Sequence, residues 1–143
     1  MIKVKEVSKN FEDFVALDNI TCNISDGCIY GMVGSNGAGK STFLRVLAGI
    51  YKPEKGEAYI DDAPIYENPK IKENVVLVAD ELFFLPGTNM NKMAKLYASA
   101  YDRFDWARFK ELTKLFGLDP KKSISNFSKG IIAEIFILCN EIS

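Results

Sequence analysis

The sequence predicts an α/β fold, and three observations predict it. A Gly-rich loop, Gly34 to Thr42, stands between a short apolar run and a helical pattern. Apolar and polar residues alternate near the N-terminus, as in half-exposed strands, and the second half of the chain carries apolar residues at helical spacing. At 143 residues with 48% hydrophobic content, the chain is long enough for one globular domain with a real core.

Ile2 to Val7 alternates apolar and charged residues, and Ile20, Cys22 and Ile24 alternate with Thr21, Asn23 and Ser25, so two antiparallel strands are expected. Phe11 and Phe14 fall in the stretch connecting them. A ring there can stack on a purine or simply cap the small sheet, and local sequence leaves both open. Asp26-Gly27 is a strong turn dipeptide that returns the chain into Cys28-Ile29-Tyr30-Gly31-Met32-Val33, read as a buried strand. Lys40 to Ala48 reads as a helix with Phe43, Leu44 and Leu47 on one face and Gly49 as its C′ residue.

Pro53-Glu54-Lys55-Gly56 is a turn, Ala58-Tyr59-Ile60 a short strand and Asp61-Asp62 another turn, which is hairpin chemistry. Asn74 to Ala79 is a β-branched apolar run, read as a second strand buried on both faces in a parallel sheet. Asp80-Glu81 follows it. Acidic residues just past the carboxyl end of such a strand lie where open α/β sheets place ligands, with a solvated strand end as the alternative.

The character changes after Pro86-Gly87. From Thr88, read as an N-cap, Met90, Met93, Ala94, Tyr97 and Ala98 follow i, i+3, i+4 spacing. From Asp105, Trp106, Phe109, Leu112 and Phe116 share a second helical face that closes at Gly117. These stripes read as core rather than binding surface. Pro120 to Phe127 is a polar connector, and a final helix begins at Ser128.

The loop Gly34-Ser35-Asn36-Gly37-Ala38-Gly39-Lys40-Ser41-Thr42 fits the phosphate-loop pattern G-x-x-x-x-G-K-[ST] at every required position. A tight loop of this kind converges backbone N–H groups on an anion, and the following helix adds the positive end of its dipole. Lys40 reaches terminal phosphates as a point charge, and the Ser41 hydroxyl suits a magnesium ion. A Gly-rich turn that binds nothing is the alternative.

Eighteen basic against nineteen acidic residues give a formal charge of −1, with no basic block of the kind that tracks a nucleic-acid backbone, so no nucleic-acid partner is expected. No apolar stretch approaches the ~20 residues of a membrane span. The start, Met1-Ile2-Lys3-Val4-Lys5, has no signal-peptide apolar region, and the chain reads as cytoplasmic. Its three cysteines, Cys22, Cys28 and Cys139, lack metal-site spacing and suit a reducing compartment. With no histidine, histidine-based triads and general bases are excluded within these residues.

Phe11, the phosphate loop, the acidic step after the second apolar run, the helical insert and Phe127-Ser128-Lys129-Gly130 occur in the order seen in ATP-binding subunits of ABC transporters, and the chain resembles them over essentially its whole length. The lead-in Gly27 to Gly34 looks most like the branch that drives ABC-2-type exporters. The resemblance implies a P-loop NTPase core, incomplete, with an N-terminal antiparallel β subdomain and a helical subdomain. It divides the chain into residues 1–80 as ATP-binding core, 81–127 as Q-loop region and helical subdomain, and 128–143 as signature motif and signature helix.

The resemblance further implies that Phe11 stacks on adenine, that Gly34, Ser35, Asn36, Gly37, Ala38, Gly39, Lys40, Ser41 and Thr42 hold the phosphates of ATP, and that Ser41 contacts Mg2+. Asp80 stands where the family has its Q-loop glutamine. A carboxylate there can reach the metal but cannot donate an amide hydrogen bond. Ser128, Lys129 and Gly130 match the L-S-G-G-Q signature in its S-K-G form, which in the family faces ATP on a second subunit. Without that match Ser128 would read as a plain helix cap, and Ile131 departs from the signature. The implied partners are a membrane permease and a second ATP-binding subunit, identical or different, at the inner face of the cell membrane.

Family hydrolysis also needs a Walker B strand ending in Asp and Glu, then a D-loop and a switch histidine. Ile135-Phe136-Ile137-Leu138-Cys139-Asn140-Glu141 imitates such a strand but follows Ser128 too closely, and the same residues fit a mostly buried helix, which is the reading favoured here. The expectation is a truncated chain of low solubility, because the missing strand would leave an apolar sheet edge. Two functions follow: an exporter ATPase subunit for the parent protein, and a module that binds ATP without hydrolysing it for the residues given.

Overall fold

A computed structural model describes residues 1–78, 84, 86–101 and 103–139. The chain divides into two compact units, Met1–Leu77 and Val78–Ser143.

In the first unit β1 (Ile2–Phe11) pairs antiparallel with β2 (Phe14–Ile24) on one side and with β3 (Lys55–Ile60) on the other, and β4 (Ala63–Pro64) pairs antiparallel with β3. The sheet order is β2-β1-β3-β4. Val4 and Val7 are both fully buried although three residues apart, which strict alternation forbids. A register shift between them, with Glu6 at φ +50°, absorbs the extra residue and keeps both valines on the core face.

Phe11 and Phe14 do not lie in a connecting stretch. They face each other as the last pair of the β1–β2 hairpin, and only Glu12 and Asp13 form the turn. The β3–β4 turn is Asp61-Asp62 with both residues at positive φ, the requirement of a two-residue hairpin turn of matching twist.

Helix α1 (Lys40–Leu47) lays Phe43, Val46 and Leu47 against Val4, Val7, Leu17, Ala58 and Ile65 to form this unit's core. Leu44, expected on that face, is exposed, and Val46 takes the place. The helix ends as read: Gly49 at φ +66° donates to the Val46 carbonyl at 2.9 Å and Ile50 donates to that of Arg45 at 2.8 Å, a Schellman closure. A short α2 (Pro69–Lys72), capped by Asn68, follows.

Two expected strands are corrected. Residues 28–33 are not a buried strand: they pair with no other strand, and Ile29 and Val33 are fully solvent-exposed. Residues 74–78 are likewise outside regular structure, with Val75, Val76 and Leu77 only half-buried. A strand exists only through its ladder. Among the described residues no neighbour pairs with either segment, so their propensity finds no backbone partner, and no parallel sheet forms between them.

The second unit packs α3 (Met90–Ala100), α4 (Trp106–Leu115) and α5 (Lys129–Cys139) around Met90, Ala94, Phe104, Phe109, Leu112, Ile124, Ile132, Ile135 and Cys139. The spacing expected of α3 holds, and in α4 Phe109 and Leu112 are buried with Phe116 packed against the core, but Trp106, expected on that face, is exposed. The cap of α3 is Asn89 rather than Thr88: its side chain accepts from the Lys92 N–H at 2.9 Å, while Thr88 is buried and its carbonyl accepts from Ile124 N–H at 3.0 Å. That pairing takes Thr88 out of cap position. The connector 120–127 is therefore not merely polar, since it places buried Ile124 in the core through a single 3-10 turn, Ile124–Asn126. Asp105 caps α4 as expected, accepting from Ala107 and Arg108 N–H at 2.7 and 3.0 Å. Its own N–H donates to the Cys139 carbonyl at 2.8 Å, tying the start of α4 to the end of α5.

Candidate functional site

The loop Gly34–Gly39 emerges from the unpaired segment and enters α1 on the exposed side of the first unit. Gly39, at φ +84°, is the residue before the helix, and its carbonyl accepts the first helical bond from Phe43 N–H at 2.8 Å. A Cβ on Gly39 would sit 2.3 Å from the Ala16 carbonyl oxygen and 3.0 Å from Leu17 Cδ2. Backbone must therefore touch backbone here. This contact fixes the loop against β2 two residues from Phe14, and so near the hairpin end that carries Phe11.

Helix initiation leaves the N–H groups of the first turn without intrahelical partners. No side chain caps α1 and no acidic residue stands in its first turn, so the N–H groups of Lys40, Ser41 and Thr42 and the dipole end are available to an anion. Ala38 N–H bonds the Ser35 carbonyl at 3.2 Å and closes a turn around Asn36 and Gly37. The Lys40 ammonium donates to the carbonyls of Gly34 and Ser35 at 2.6 and 2.7 Å, so its charge sits across the loop mouth.

Ser41 is exposed on the first turn, where its hydroxyl can ligate a cation. Among the described residues no cluster of Cys, Asp or Glu is disposed to cage a metal. A lone hydroxyl suits magnesium, which keeps several waters and takes phosphate oxygens as ligands. The donor set fits Mg2+ carried by a phosphate ligand. Asp80 lies outside the described residues.

Phe11 retains 38% of its surface exposed and meets Tyr51 edge to face, with centroids 5.3 Å apart and planes at 72°. The Lys9 ammonium lies 5.2 Å from the Phe11 ring centroid and 2.5 Å from Glu54 Oε1. Glu54 Oε2 accepts from Asn10 N–H at 2.7 Å. The Lys9 bond, then that of Asn10, holds the Glu54 carboxyl below its usual range against the opposing effect of desolvation. The sequence reading missed Tyr51 and Glu54. Tyr51 is forty residues from Phe11, and only the meeting of the hairpin with the end of α1 brings them together.

Ser128 belongs to the second unit, where its Oγ accepts from Ile131 N–H at 3.3 Å and its carbonyl from Ile132 N–H at 3.2 Å. It caps α5. Lys129 and Gly130 are exposed on the first turn, and Ile131 packs on the core instead of closing a capping box. Cys139 is buried, and burial pushes its thiol up to about 11, whereas Cys28 is exposed.

A pattern-complete phosphate loop opening a helix beside a β-sheet defines the P-loop class of α/β proteins. A model of the family described as "ABC transporter" matches residues 17–140, and the chain belongs to that family. It is 30% identical over 140 residues to a protein of Hahella chejuensis named as a ribose/galactose/methyl galactoside import ATP-binding protein, covering 90% of this chain and 27% of that one. It is 47% identical over 72 residues to the glucose import ATP-binding protein GlcV of Saccharolobus solfataricus, covering 49% of this chain and 20% of that one.

A bacterial ABC transporter cassette solved as a dimer superposes with a TM-score of 0.79 at 25% identity, over 98% of this chain and 70% of that one. The same cassette in a post-hydrolysis state bound to ADP and Pi gives a TM-score of 0.74 at 25% identity, over 99% and 69%. The chain thus spans about a quarter of the first relative's length. Among the described residues no helix is long and apolar enough to cross a membrane.

Proposed function

We propose that this chain is the ATP-binding part of an ABC transporter subunit, taking Mg-ATP at the loop Gly34 to Thr42 to energise a separate membrane permease. The observation that carries the reading is the uncapped first turn of α1 beside the Lys40 ammonium, at a loop that meets the phosphate pattern in full. The backbone N–H groups and Lys40 hold the phosphates, the Ser41 hydroxyl supports the magnesium, and Phe11 offers a face to the base. Bound magnesium supplies charge neutralisation between phosphate oxygens. Residues 1–80 form the nucleotide core in this reading, 81–127 the helical subdomain with Asp80 at its boundary, and 128–143 the signature region. There Ser128, Lys129 and Gly130 serve the ATP of a second ATP-binding subunit.

The permease places the subunit at the inner face of the membrane. Two relatives are named as importers, while the Gly27 to Gly34 lead-in resembles exporters. Export rests on that lead-in alone, and the permease decides it.

Helix α5 favours a second reading for these residues. Hydrolysis needs an acidic strand end, whereas Ile135 to Cys139 of the stretch that imitates a Walker B strand are helical, and Asn140 and Glu141 lie outside the described residues. Calorimetric titration with Mg-ATP together with a phosphate-release assay separates the possibilities. Saturable binding without turnover supports the binding module. Turnover abolished by Lys40→Ala supports the hydrolytic subunit, and absence of binding overturns both.

A further inference from the structure

Around Phe11 the structure holds more than the ring. Tyr51 leaves the Schellman turn of α1 and meets Phe11 edge to face at 5.3 Å, and Arg45 of α1 lies 5.8 Å from the Tyr51 ring centroid. Three residues on, Glu54 grips the end of β1 three times: its N–H donates to the Ser8 carbonyl at 2.9 Å, its Oε2 accepts from Asn10 N–H, and its Oε1 pairs with Lys9. Lys9 in turn lies over the Phe11 ring. The segment 51–54 therefore fixes both the backbone before Phe11 and the ring itself, while belonging to neither the phosphate loop nor the hairpin.

We propose that Tyr51 and Glu54 form a clasp that holds Phe11 in place for the nucleotide base, Tyr51 acting as a positioning residue of the site. This rests on the reading of Phe11 as the base-stacking ring. A side chain in two rotamers stacks less well than one already fixed, because binding must then pay the ordering entropy. An edge-to-face partner supplies that ordering, and Glu54 fixes the Lys9 ammonium that lies over the same ring.

Binding of ATP and of inorganic tripolyphosphate, measured on the full chain and its Tyr51→Ala, Tyr51→Phe, Phe11→Ala and Tyr51→Ala/Phe11→Ala variants, tests the clasp. The expected result is a three- to tenfold loss of ATP affinity in Tyr51→Ala, on the order of one aromatic pair, with tripolyphosphate binding unchanged and Tyr51→Phe like the parent. In the Phe11→Ala background the Tyr51→Ala loss vanishes, since Tyr51 acts through Phe11. Equal loss of both ligands, a loss that persists in the Phe11→Ala background, or no loss overturns the clasp. If Phe11→Ala itself leaves ATP affinity unchanged, the base-stacking reading fails first and the clasp with it.

Discussion

The Lys40 ammonium lies 2.6 Å from the Gly34 carbonyl oxygen, so the first residue of α1 ties down the one that begins the phosphate loop. A second bond to Ser35 at 2.7 Å shares the charge over both carbonyls. Lys40 is thus a latch on an exposed loop. Lys40→Ala is expected to speed amide exchange at Ala38, whose bond to Ser35 closes the turn. Global stability should change by no more than about 0.5 kcal/mol, as for other exposed sites. Unchanged exchange would show that the loop holds its shape without the latch.

Gly39 and Gly37 share a φ of +84° but not their surroundings. A Cβ on Gly37 meets nothing within 4 Å, while one on Gly39 strikes the Ala16 carbonyl oxygen at 2.3 Å. Gly37→Ala should cost only left-handed strain, about 1–2 kcal/mol. Gly39→Ala should cost clearly more, because β2 backbone has to move. Denaturant midpoints of the two variants measure the difference, and equal midpoints would refute the packing argument.

Asp105→Ala removes the acceptor for Ala107 and Arg108 N–H at the start of α4. The expected loss is about 1 kcal/mol, as for other N-caps, read from urea denaturation of the full chain. Asp105→Asn should restore most of it, since the amide oxygen accepts the same bonds.

The Cys139 thiol should stay silent toward a thiol reagent at pH 8 in the folded protein and react on unfolding, while exposed Cys28 reacts at once. Burial raises the folded-state value from 9.0 to about 11, so the folded state binds this proton more tightly than the unfolded one. The stability linked to it is fully present below pH 9 and is lost as pH rises from 9 toward 11. A Cys139→Ser variant whose alkaline loss of stability matches the parent's would contradict this assignment.

Much of this was legible in sequence because it is local. The caps at Asp105 and Gly49, the Asp61-Asp62 turn and, Trp106 apart, the faces of α3 and α4 depend on residues within a few positions of one another. The two apolar runs failed because a strand is not a local object: Ile29 and Val33 have the right side chains, but ladder partners decide. Leu44 and Val46 changed places because a short helix turns its apolar stripe toward whatever sheet it meets. At the proposed site, the pattern Gly34 to Thr42 is contiguous in the sequence, whereas Tyr51 and Glu54 reach Phe11 only through the fold.

The central claim is that Lys40 and the first turn of α1 hold the phosphates of ATP. Calorimetric affinity of the full chain for Mg-ATP, compared between the parent and Lys40→Ala, tests it most directly. A charged hydrogen-bonding contact of this kind is worth about 1.5–3 kcal/mol, so the variant should bind roughly ten- to a hundredfold more weakly. Equal affinity in the two proteins would contradict the account.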